Sequence, residues 1–162
     1  MKPAKLTHFN DSGRANMVDV GDKPMTARMA RARAVITMTV ETLTLIQDAR
    51  MAKGDVLAVA QVAGITAAKR TWELIPMCHP IALTGVDIAF HMQESPPAVV
   101  IESTARATGV TGVEMEALTA VTAAALTVYD MCKAVERDMT ITEIFLLEKQ
   151  GGKNGPWQRE VI

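Results

Sequence analysis

An aspartate and a lysine three residues apart, Asp130 and Lys133, close a long apolar stretch of this 162-residue chain, and two glutamates, Glu114 and Glu116, open it. Aspartate is a mediocre helix former, and near a helix C-terminus the macrodipole disfavours its charge, so Asp130 needs a compensating cation. Lys133 lies roughly 60° around the helix and is close enough to pair with it. From spacing alone the two form either a surface ion pair or a proton-transfer couple, and both readings stay open. At the other end, Thr111 and Glu114 match the T-x-x-E capping box, which accounts for Glu114 structurally, and Glu116 in the first turn suits the dipole. Glu116 and Asp130 fall on nearly the same helical face but are fourteen residues apart, roughly 21 Å along the axis. One small ligand cannot reach both within a subunit. If both are catalytic, the pocket is shared across an antiparallel contact between protomers.

The run Pro76-Met77-Cys78-His79-Pro80 holds a histidine between two prolines at a helix end, a placement that suits a side chain pointing at a ligand, although a lone histidine is more often structural. His8 in a polar arm and His91 on the polar face of a strand have weaker claims. Cys78 beside His79 raises the question of zinc, but no second Cys/His pair has ligand spacing, and a metal site is not expected. Lys53, Lys69, Arg70, Lys149 and Lys153 are candidates to neutralise phosphates, with Lys53 just before a helix start whose free amides also favour anions. There is no Walker A sequence and no G-x-G-x-x-G after a strand.

The elements that must position these groups follow from periodicity. Residues 1 to about 30 are polar, with a turn-forming Asn10-Asp11-Ser12-Gly13 cluster, and predict an arm that orders late or on contact; its Met17-Val18-Asp19-Val20 patch pairs locally at most. Ala32 to Val40 alternate as a first strand. A short helix over about 41–48 is followed by a longer one with Asp55 as N-cap, ended by Pro76. Val86 to Gln93 and Ala98 to Ala107, turned by Ser95-Pro96-Pro97, make an antiparallel hairpin. The long helix should run from Thr111 to about Glu136. A last strand, Thr140 to Glu148, precedes a flexible tail, 151–162, whose glycines do not sustain regular structure.

The order βα(α)ββαβ predicts an α+β fold of the ferredoxin-like, split βαβ kind, one catalytic domain over 1–162 with an antiparallel sheet packed on helices. Apolar residues face more than one way on the long helix, Leu118, Val121, Ala125, Val128 and Cys132 on one stripe and Leu126 elsewhere. Such a helix needs two partners, its own sheet and a neighbouring subunit, so a homo-oligomer is expected.

With 17 Lys and Arg against 18 Asp and Glu, the net charge of -1 gives no basic excess for nucleic acid. Two cysteines are too few for a disulfide scaffold and fit a reducing, cytoplasmic setting. The amino terminus has no apolar signal region, and the stretch from Ala117 to Val128 is too short to cross a bilayer, so a soluble protein is expected. These features by themselves indicate an oligomeric α+β enzyme acting on a phosphorylated small molecule.

With those residues in view, the chain resembles the MoaC family, the cyclic pyranopterin monophosphate synthases of molybdenum cofactor biosynthesis. The resemblance is nearly full length and rests on ordered blocks. They are Leu6-Thr7-His8, Met17-Val18-Asp19-Val20, Lys53-Gly54-Asp55-Val56, Ala67-Ala68-Lys69-Arg70-Thr71-Trp72, Leu74-Ile75-Pro76-Met77-Cys78-His79-Pro80, Thr111-Gly112-Val113-Glu114-Met115-Glu116-Ala117-Leu118, Tyr129-Asp130-Met131-Cys132-Lys133-Ala134-Val135 and Gly151-Gly152-Lys153. It implies conversion of a cyclised dihydro-GTP to cyclic pyranopterin monophosphate with loss of diphosphate, without metal or organic cofactor. It also implies a hexamer, a trimer of dimers with pockets at subunit interfaces. Carried over by position, the catalytic residues fall on Asp130, Lys133, Lys53 and His79. Substrate contacts fall on Met77, Cys78, His79, Glu114, Met115, Glu116 and Lys149. Whether Arg28 or Arg14 in the arm reaches a bound phosphate stays open. A non-catalytic pterin or nucleotide carrier would keep the pocket but tolerate loss of Asp130; a structural interaction protein would have no reason for Lys53, His79 and Lys133.

Overall fold

A computed structural model describes residues 12–153 and 155–160 of the chain; His8 and the block Leu6-Thr7-His8 lie outside the described residues. Strand β1 (Thr26–Thr37) leads through helices α1 (Val40–Gln47), α2 (Val56–Lys69) and α3 (Thr71–Leu74) to the hairpin β2 (Leu83–Glu94) and β3 (Pro97–Gly109). Helix α4 (Glu114–Cys132) and strands β4 (Thr140–Gln150) and β5 (Trp157–Gln158) follow. The five strands form one sheet in the order β2-β3-β1-β4-β5, and every neighbouring pair is antiparallel. The fold is therefore α+β, a five-stranded antiparallel sheet packed against helices.

Alternation puts Ala30, Ala32, Ala34 and Ile36 of β1 and Val99, Ile101, Ala105 and Ala107 of β3 in one core with the buried face of α4. Because so many of these side chains are only a methyl, the helices come close to the sheet and to each other. A Cβ on Gly64 of α2 would run into Ile88 and would stand 2.8 Å from the Ala120 carbonyl of α4. Ser103, buried in β3, donates to the Ala117 carbonyl at 2.7 Å and fixes α4 over the sheet. On the opposite face Val35, Ala98 and Val100 form a small separate cluster, and Arg31 and Arg33 pair with Glu102, Glu148 and Glu143.

Several boundaries differ from expectation. The first strand begins at Thr26, inside the expected arm, because β3 and β4 pair it along its length; it ends at Thr37, where Thr39 caps α1. The helix ending before Pro76 is interrupted at Arg70, so α2 and α3 are separate. The capping box is not formed: α4 starts at Glu114 with Val113 as its N-cap and no side-chain cap bond. Glu114 is thus the first helical residue, and its carboxylate turns to Lys149 instead. The helix stops at Cys132 rather than near Glu136. Beyond the glycines, Trp157 pairs with Lys149 and makes the short β5.

Candidate active site

The two ends of α4 carry two separate groups of side chains. At its C-terminal end Asp130 is held by two ammonium groups. Lys133 Nζ donates to Asp130 Oδ1 at 2.6 Å, as the i,i+3 spacing predicts. Lys53 Nζ donates to the Asp130 carbonyl at 2.8 Å and to Oδ2 at 3.3 Å. Lys53 reaches this point because its loop is tightly shaped: Gly54 takes a left-handed φ of +95°, its amide donates to the Met51 carbonyl, and Asp55 caps α2 through the Ala58 amide. Lys53 also meets one of the carbonyls that α4 leaves unpaired at its end. The two lysines, by hydrogen bonds and then by charge, hold the Asp130 carboxyl below the usual carboxylate range. All three side chains remain open to solvent.

At the N-terminal end, Met77, Cys78, His79, Glu114, Met115 and Glu116 line one cavity of about 430 Å³ together with Val18, Val20 and Lys23. The volume is that of a small-molecule site. His79 Nε2 lies 2.8 Å from the Val18 carbonyl. A carbonyl only accepts, so Nε2 carries the hydrogen, and Nδ1 is the nitrogen left to take up or release a proton. Glu116 is buried at 3 % exposure. Burial raises its carboxyl to about 7, the Glu114 charge adds to that, and a backbone hydrogen bond opposes it. Burial, then the charge of Glu116, pushes the Cys78 thiol up as well.

Thr111, Gly112, Glu114 and Lys23 also border a second cavity of about 240 Å³, lined further by Arg28, Lys149, Gly152 and Lys153. Among the described residues four cations face one carboxylate here, Glu114, which accepts from Lys149 at 2.9 Å. Arg28 is fixed by donating Nε to the Gly109 carbonyl at 3.1 Å and Nη2 to the Val110 carbonyl at 3.2 Å. Gly151 and Gly152, at φ of +89° and +84°, let the chain pass where any Cβ would strike Ala27 or the Arg28 guanidinium. A cationic cleft joined to a largely apolar one suits a ligand with a flat ring system and a phosphate chain.

Asp130, Lys133 and Lys53 thus meet at one end of α4; Met77, Cys78, His79, Glu114, Met115, Glu116 and Lys149 meet at the other. Neither cavity is lined by any of the first three, nor by Lys69 or Arg70. Lys23, Val18 and Val20 are cavity residues that sequence reasoning missed. The consecutive glycines at the end of β4 were the available signal for the cationic cleft, since paired glycines mark close backbone approach. Among the described residues no group of three or more His, Cys, Asp or Glu side chains could hold a metal ion, and no helix is long and apolar enough to cross a membrane.

The family model described as the MoaC family matches residues 17–152. The chain is 56% identical over 158 residues to a cyclic pyranopterin monophosphate synthase of Peptoclostridium acidaminophilum, covering 98% of this chain and 99% of that protein. It is 58% identical over 156 residues to the protein of that name from Thermoanaerobacter sp. (strain X514), covering 96% and 99%. A Brevibacillus brevis protein of the same name is 57% identical over 155 residues, covering 96% of each.

Proposed function

The chain belongs to the MoaC family, and from that premise we propose that it is a cyclic pyranopterin monophosphate synthase, a lyase of molybdenum cofactor biosynthesis. It converts a cyclised dihydro-GTP to cyclic pyranopterin monophosphate and releases diphosphate. The observation that carries the reading to particular residues is the division of charge along α4. A low-affinity carboxylate between two ammonium groups stands at one end, and a proton-retaining carboxyl in a ring-sized cavity at the other.

Asp130 and Lys133 shuttle protons during opening of the imidazoline ring and closure of the pterin, with Lys53 keeping Asp130 ionised. The ring system lies against Met77, Cys78 and Met115, where Glu116 and the Nδ1 of His79 face it. Forming a cyclic monophosphate from a triphosphate means that a substrate hydroxyl attacks the innermost phosphorus and diphosphate leaves. Lys149, with Arg28, Lys23 and Lys153, neutralises the charge that departs, and Lys53 does so from the other end.

Two subunits side by side in reverse bring the Asp130 end of one α4 to the Glu116 end of the other. Support for assembly comes from apolar side chains left open on the helical layer, Val59 at 47%, Val62 at 65% and Leu126 at 56% exposure. The assembly is a homohexamer, a trimer of dimers of a single catalytic domain, and the strand order β2-β3-β1-β4 supports a ferredoxin-like description of each subunit. Two free cysteines fit a cytoplasmic location. The test is incubation of the purified protein with the cyclised nucleotide, assaying diphosphate and pterin together. Equimolar formation of both is expected; binding without either product would leave a carrier.

A further inference from the structure

An exposed ion pair is held only weakly by its own attraction, so the arrangement of Asp130, Lys133 and Lys53 must come from the backbone beneath them. Lys133 is the first residue past α4, and the turn that follows is formed by the amides of Lys133, Val135 and Glu136 bonding back to the carbonyls of Tyr129 and Cys132. Two side chains fasten this turn. Tyr129 donates its hydroxyl to the Arg137 carbonyl at 2.9 Å. Glu136 reaches across to Thr39, the N-cap of α1, accepting from its amide at 2.9 Å and 3.1 Å on the two oxygens and from its hydroxyl at 2.9 Å. Thr39 opens the segment that runs through α1 to Lys53. The contact between Glu136 and Thr39 therefore joins the two stretches of chain, 97 residues apart, that carry the three charged groups.

We propose that Glu136 is a positioning residue for the reaction: clamped on Thr39, its carboxylate fixes the turn that presents Lys133 to Asp130 and locks that turn to the segment leading to Lys53. The inference rests on the reading above that Asp130 and Lys133 transfer protons. Thr39 caps α1 with its own hydroxyl, which accepts from the Thr42 amide at 3.3 Å, so the capping does not by itself require Glu136. Burial opposes ionisation of Glu136, but the hydrogen bonds from Thr39 and Thr42 outweigh it and leave the carboxyl below its ordinary range. The clamp is therefore charged at neutral pH. The titratable neighbours are Cys132 beside Glu136, and Lys133 and Lys53 around Asp130.

The test compares Glu136→Ala, Glu136→Gln and Tyr129→Phe with the parent protein in the full oligomer, measuring kcat and KM for diphosphate release across pH, with Asp130→Ala as reference. Glu136→Ala should lower kcat by roughly tenfold or more and leave KM within about threefold. With the lysines less well placed, Asp130 takes up its proton more readily, so the acidic limb of the kcat profile should move to higher pH. Glu136→Gln keeps an acceptor for the Thr39 amide and should recover most of the rate. If Glu136→Ala does not fold, Tyr129→Phe, which loses one hydroxyl, should show a smaller fall with the limb displaced in the same direction. Parental kcat and an unmoved limb in the folded variants, beside a dead Asp130→Ala, would overturn the positioning role alone; an active Asp130→Ala would overturn the catalytic reading on which it stands.

Discussion

The two ends of α4 bear carboxylates of similar intrinsic strength, yet each ends up opposite to what the helix dipole favours. Glu116 sits in the first turn, where the positive end should keep it ionised, but burial raises it to about 7. Asp130 sits in the last turn, where the negative end should discourage its charge, but two lysines hold it ionised. The dipole is worth about 0.3–1 kcal/mol at such positions. The displacement at Glu116 corresponds to a difference on the order of 3 kcal/mol between its protonation states, so desolvation prevails. At Asp130 two direct hydrogen-bonded cations prevail by proximity. Helix position is a weak instruction, then, and what a distant segment brings to each end decides the chemistry.

The sharpest way to break this contrast is at the exposed end. Asp130→Ala or Lys133→Ala should reduce turnover by roughly a thousandfold or more while the elution volume on size-exclusion chromatography stays that of the parent. Removing a cation at the other end acts on binding: Lys149→Ala takes from the cleft the ammonium group hydrogen-bonded to Glu114 and one of its four positive charges, and should raise KM about tenfold with a smaller effect on kcat. A subtler test concerns stability. Because the folded-state affinity of Glu116 for its proton is raised, its ionisation costs stability as pH climbs from the ordinary carboxylate range through about 7. Glu116→Gln should therefore melt a few degrees higher than the parent at pH 8, and the gain should fade as pH falls to 5. The smallest effect is expected from Asp130→Asn on thermal stability. Its low proton affinity adds stability above the ordinary aspartate range and loses it in acid, but solvent screens an exposed pair, so the melting curve at neutral pH should hardly move.

How much of this was legible in the amino-acid sequence depended on distance along the chain. The pairing of Asp130 with Lys133 and the Asp55 cap follow from spacing on a single element, and both are formed. The hairpin was visible because Val86, Ile88 and Phe90 alternate with the smaller or polar Asp87, Ala89 and His91. The first half of β1 was not, because Thr26 to Arg31 has no apolar period of two and is mostly Ala and Arg, neither with strong β propensity; the pairing of β3 and β4 on either side makes it a strand. The capping box failed for a similar reason, since Lys149, 35 residues away, competes for Glu114. The meeting of Lys53 with Asp130 across 77 residues has no local signature at all. Lys23 escaped notice because it lies in a polar segment without period, and only the folded chain brings that segment beside His79.

Division of one reaction between opposite ends of two neighbouring helices is most directly tested by subunit mixing. Asp130→Ala and Glu116→Gln proteins, each assayed alone and then dissociated together and reassembled, report whether a site draws on both chains. In an antiparallel pair, a mixed dimer concentrates both lesions in one site and leaves the other intact, so random mixing should restore about a quarter of parental activity. Reassembled mixtures no more active than the separate variants would place both carboxylates in the service of one subunit and contradict the account.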